Sequence, residues 1–140
     1  SETRQRAIMN SIADGIITVA EDGSISAMST VAERLFGIDS SEAEGTLLTN
    51  LFAQDCKAEI EAIIAAKMLA QNDLGRLATH DVLGRHRSGE TFHARITCST
   101  LLMGTQKNMV IAARDVSQEK EVMQALRIAR DAAERASKAK

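Results

Sequence analysis

The sequence predicts an α+β fold: a five-stranded antiparallel sheet with short helices on one side, an N-terminal helix before it and a C-terminal coiled-coil helix after it. Three observations predict it. Two strand-like runs flank an Asp-Gly turn early in the chain, residues 30–72 carry helix punctuation, and residues 77–116 return to strand composition broken by two glycine-bearing turns. After Ser117 the chain becomes one polar, alanine-rich helix. The expected organisation is a helix over 1–13, a domain over 14–117 and an output helix over 118–140.

The first element is a short helix over 3–13, with Ile8 and Ile12 on one stripe. Asp14-Gly15 breaks it. Residues 16–20 have strand composition, Glu21-Asp22-Gly23 is a turn, and residues 24–28 form the second strand of a hairpin. Thr30 and Glu33 match a capping box, with Gly37 placed to end that helix. Asp39 and Glu42 match a second, closed by Gly45. Asp55 is placed to cap a longer helix with Ile60, Ile63, Ile64 and Met68 on one face, which Gly75 ends.

The period then changes. Residues 77–87 read as a strand turning at Ser88-Gly89. Over 90–103, Phe92, Ala94, Ile96, Cys98, Thr100 and Leu102 occupy one face, and His93, Arg95, Thr97 and Ser99 the other, as in a half-buried antiparallel strand. Gly104-Thr105 leads into a nearly continuous apolar strand over 107–116. Beyond it, Val122, Leu126, Ala129, Ala133 and Ala136 repeat with heptad spacing. Alanine makes this a thin seam. It suits a homodimer through the terminal helices, with Ile8 and Ile12 contributing, or else a helix docked on its own domain.

Composition narrows the function. The 140 residues suit one domain and an extension, 44% of them are hydrophobic and the net charge is −2, a balance that does not point to nucleic acid. With no Trp or Tyr and three Phe, base-stacking platforms are scarce. No apolar run approaches the ~18–20 residues that span a bilayer. No signal-peptide pattern opens the chain, and Cys56 and Cys98 lack metal-ligand spacing, so the expectation is a cytoplasmic protein with reduced thiols and no membrane contact.

Several motifs together resemble PAS domains. Asp14-Gly15-Ile16-Ile17-Thr18-Val19, Asp22-Gly23-Ser24-Ile25 and Ala32-Glu33-Arg34-Leu35-Phe36-Gly37 are similar to that family's opening. Arg85-His86-Arg87-Ser88-Gly89-Glu90-Thr91-Phe92 resembles its basic turn before the fourth strand. Asp115-Val116-Ser117 resembles the triplet at which a PAS core hands over to its output helix. Residues 126–140 look like the helix leading into the dimerisation and phospho-acceptor helices of bacterial sensor histidine kinases.

The resemblance implies a PAS fold and frames the ligand question. A covalent flavin site is disfavoured, since the residues around Cys56 do not match the photosensor motif, and noncovalent flavin lacks its usual Trp. The chain is similar to the haem PAS domains of FixL-type oxygen-sensing kinases. Their proximal His lies on the long helix, and residues 55–72 contain none, so haem is possible but not favoured. The cofactor is therefore unknown. His80 stands on the third strand roughly where those sensors carry an Arg; it reads as a polar ligand contact, an unconventional haem ligand or a hydrogen-bonded core histidine. With Ile64, Met68, Ile96 and Ile111 it forms a candidate pocket for a small apolar ligand, residues that equally make an ordinary core. His86 and His93 are expected at the turn and on the solvent face. No metal site is expected, and no nucleophile elbow or phosphate loop points to catalytic residues.

The expectation is a sensory and dimerisation module of a two-component signalling protein, not itself an enzyme. Ligand or conformational state would pass through Asp115, Val116 and Ser117 to the seam of Val122, Leu126, Ala129 and Ala133, and on to a histidine kinase domain in cis. A ligand-free dimerisation module and a module controlling a diguanylate cyclase are the alternatives.

Overall fold

The computed structural model describes residues 14–69 and 78–138. The expected N-terminal helix with Ile8 and Ile12, and the stop at Gly75, lie outside the described residues. Five antiparallel strands, β1 (Gly15–Val19), β2 (Ile25–Met28), β3 (Ala78–Arg85), β4 (Thr91–Met103) and β5 (Gln106–Asp115), form one sheet in the order β2-β1-β5-β4-β3. β1 and β5 are neighbours although the whole domain separates them. Helices α1 (Thr30–Phe36), α2 (Ser40–Ala43) and α3 (Lys57–Leu69), with 3₁₀ turns at Leu48–Leu51 and Gln54–Cys56, connect β2 to β3; α4 (Ser117–Lys138) follows β5.

The expected hairpin is present, with Gly23 at φ 88° in the turn, a conformation that costs glycine little. The caps differ from expectation. Ser29 begins α1: its Oγ accepts from Ala32 N at 3.3 Å and from Ile16 N at 2.8 Å, tying helix to strand. Glu33 reaches forward, accepting from Ser40 N at 2.8 Å, and so satisfies a donor that the Asp39 side chain leaves open. Gly37 ends α1 in the left-handed region, as expected.

The core lies between sheet and helices. Ile17, Val19, Ala94, Ile96, Cys98, Met109 and Ile111 line its sheet side, and Phe36, Phe52, Leu48, Ile60 and Ile63 its helical side. The stripe on α3 is Ile60, Ile63 and Lys67, with Ile64 and Met68 only partly buried, so the expected face is rotated by about one residue. Lys67 is 7% exposed, its stem taking the place of an aliphatic side chain. β4 alternates as expected from Ala94 to Thr100, then departs: Leu102 is 54% exposed.

Candidate functional site

The joint between sheet and C-terminal helix has the most defined polar geometry. Val116 leaves the sheet fully buried, its N–H donating to His93 O at 2.8 Å and its carbonyl accepting Lys120 N, the first bond of α4. Asp115 Oδ1 accepts from Ser117 N at 2.9 Å, an Asx turn that feeds the strand into the helix. Ser117 Oγ accepts from His93 N at 3.0 Å. Thus β4 and the start of α4 are sewn together by both backbone groups of one residue, His93.

A charged row reinforces the joint. Strand register sets Asp81, Arg95 and Arg114 side by side across β3, β4 and β5. Two arginines directly opposite repel. Asp81 relieves one through a 3.1 Å contact to Arg95 Nε, and Glu119 in the first turn of α4 stands 3.4 Å from Arg114 and 3.9 Å from Arg95. Reading along the sequence misses Glu119, Arg95 and Arg114 as a set, because only the register brings them together. The signal that could have found them is two arginines on the solvent faces of adjacent hairpin strands, followed by an acid one helical turn past the joint.

Beyond its first turn α4 leaves the sheet. Val122 and Leu126 are 53% and 59% exposed, and Ala129 and Ala133 are exposed as well, so the seam is not covered by any of the described residues.

The pocket residues are divided. Ile96 and Ile111 are 1% and 0% exposed and belong to the continuous core. His80 pairs with Ile96 across β3 and β4, so it faces the same interior side, where it is half-buried. Ile64 and Met68 instead line an open cleft of about 340 Å³ between α3 and the β1–β2 turn. His93 is exposed, and His86 Nδ1 accepts from Ser88 N at 3.1 Å in the β3–β4 turn. Among the described residues no cluster of His, Cys, Asp and Glu has metal-binding geometry.

Both cysteines are free. Burial pushes the Cys98 thiol from 9.0 up to about 11, against the opposing charge of Lys67. The unfolded thiol ionises first, so its contribution to stability is complete below pH 9 and is lost as pH rises towards about 11. A colorimetric disulfide reagent at pH 8 should therefore label Cys56 in the native protein and reach Cys98 only on unfolding. Equal labelling of both in the native state would refute the burial of Cys98.

Among the described residues no helix is long and apolar enough to cross a membrane. The PAS domain family model, "PAS_9: PAS domain", matches residues 13–118. The chain is 27% identical over 124 residues to "Sensor protein FixL" of Bradyrhizobium diazoefficiens, covering 86% of this chain and 24% of that one. It is 28% identical over 139 residues to "Cell-division control histidine kinase PdhS" of Brucella ovis, covering 96% and 13%. The chain thus spans a quarter or less of these relatives' length. Among solved structures, a PAS domain from Colwellia psychrerythraea superposes with TM-score 0.69 at 17% identity, covering 84% of this chain and 99% of that one. With the sheet order, the helical layer and a family match that ends at the strand-to-helix joint, this chain belongs to the PAS domain family.

Proposed function

We propose that this domain is the sensory and dimerisation module of a cytoplasmic two-component signalling protein. It relays its state through Asp115, Val116 and Ser117 to α4 and to a histidine kinase domain in cis. One observation carries the reading: α4 begins in a knot that joins β4, β5 and the helix through the Asp115, Val116 and Ser117 hydrogen bonds. A displacement of either strand changes the direction in which α4 leaves. The relatives, a sensor protein and a histidine kinase, support the setting.

The exposed row of Val122, Leu126, Ala129 and Ala133 is the dimer seam in this reading. A seam dominated by alanine has a shallow preference among packings, so a few kcal/mol at the joint suffices to bias it. The input is a small apolar ligand acting either on α3 at the cleft by Ile64 and Met68 or on the sheet beside His80, Ile96 and Ile111. The close packing of Ile96 and Ile111 favours a second reading, a ligand-free module that holds the dimer in register.

Removing the Asx turn with Asp115→Ala costs about 0.5–1.5 kcal/mol of local stability, little enough to leave the domain folded. In the full-length parent it should shift basal output, stimulated output or both. Unchanged basal and stimulated output would sink the relay. A native mass spectrum of freshly purified protein separates the two readings: a retained small molecule supports sensing, and an apo dimer supports assembly.

A further inference from the structure

The cleft between α3 and the β1–β2 turn has a composition that selects its occupant. Leu47, Ile64, Ala65 and Met68 give it an apolar floor, while Glu21 and Asp22 stand on the turn and Glu61 on α3. Gly23 brings the two walls together: a Cβ there would lie 3.9 Å from Ile64 Cδ1. The Asp22 carboxylate is fixed by Ser24, whose N–H and hydroxyl donate to Oδ1 at 3.0 and 2.6 Å, and these bonds lower its pKa. Glu21 Oε1 accepts from Lys107 N at 3.2 Å, which holds that side chain at the turn. Among the described residues Lys107 also stands at this rim, its ammonium donating to Met68 O at 3.2 Å beside the three carboxylates.

An apolar floor between carboxylates fits a ligand with cationic ends and a hydrocarbon middle. None of the lining residues is aromatic, so the cleft lacks the ring faces that recognise quaternary ammonium groups. The carboxylates demand N–H donors. A volume of about 340 Å³ lies at the small-molecule end of the pocket range. We propose that this cleft binds an aliphatic diamine or short polyamine, its ammonium groups held between Glu21–Asp22 and Glu61 and its methylenes lying on Ile64, Ala65 and Met68. The proposal rests on the cleft alone and stands whether or not the relay through Asp115 does.

The test is a titration of the ¹⁵N-labelled chain with 1,4-diaminobutane and spermidine, with tetramethylammonium and a lysine-rich peptide for comparison. Saturable shifts should be confined to amides of residues 21–23, 47–49 and 61–68. Glu61→Gln and Glu21→Gln, both at exposed positions, should each weaken binding about fivefold while leaving the rest of the spectrum in place. Added salt should weaken it further. The proposal is overturned by shifts that do not saturate or that spread over other acidic surfaces, by affinity unchanged in Glu61→Gln, by equal binding of tetramethylammonium, or by a response to the peptide alone.

Discussion

Replacing Phe36 with Ala should cost about 3–5 kcal/mol of folding free energy, among the largest single losses available in this chain. The chain has three aromatic residues, and Phe36 touches both others: its ring centroid lies 5.9 Å from Phe52 in an edge contact and 5.5 Å from Phe92 in a tilted one. At 1% exposure its whole side chain is sealed where α1 meets the turn between β3 and β4. Its carbonyl also accepts from Arg87 N at 2.9 Å, so the truncated position cannot drift inward to refill the space. A domain of this size has about 5–15 kcal/mol in total, so the variant should populate the unfolded state visibly at moderate urea. Urea titration followed by far-ultraviolet dichroism measures it. A loss under about 1 kcal/mol would mean that the three rings do not form one packed unit. Phe92→Leu, at a half-buried position, should cost less.

Strand periodicity made most of this fold legible. Alternation along β4 identifies Ala94, Ile96, Cys98 and Thr100 as one buried row, and the Glu21-Asp22-Gly23 turn announces the first hairpin. The helices were less legible because their caps are tertiary. Nothing local shows that Ser29 spends its hydroxyl on Ile16 as well as on Ala32, or that Glu33 reaches past its own helix to Ser40. The face of α3 departs from its apolar pattern for a chemical reason: a lysine at position 67 argues for solvent, yet it is buried in the row of Ile60 and Ile63 while Ile64 also lines the cleft. The joint was visible as a motif, but its mechanics were not. The Arg95 and Arg114 pair and its answer in Glu119 depend on a strand register that sequence spacing does not fix. The acidic cleft depends likewise on a turn and a helix some forty residues apart being folded against each other.

Gly15 is a position where the smallest added group should do large damage, because what it meets is backbone. It reads as a helix breaker after Asp14, yet it lies in β1, where the backbone of α1 crosses the strand. A Cβ at Gly15 would stand 2.6 Å from Ala32 Cα and 2.7 Å from Ala32 N, and a main chain cannot rotate away as a side chain can. Ala32 is 0% exposed and its N–H is held by Ser29, whose hydroxyl also accepts from Ile16 N, so helix and strand would have to separate together. Gly15→Ala should therefore cost about 1–3 kcal/mol and Gly15→Val more, enough to threaten a marginal fold. Thermal denaturation reads the cost, and a change within about 0.5 kcal/mol for Gly15→Ala would refute the close approach. The damage should also be directional. Gly15 pairs with Ala113 on β5, two residues before Asp115, so a displaced β1 disturbs the end of the strand that launches α4. In Gly15→Ala the amides of Val116 and Ser117 should exchange hydrogen faster, relative to wild type, than the amides of the β3–β4 pair. Uniform acceleration across the sheet would mean that the first and fifth strands do not carry strain to the joint.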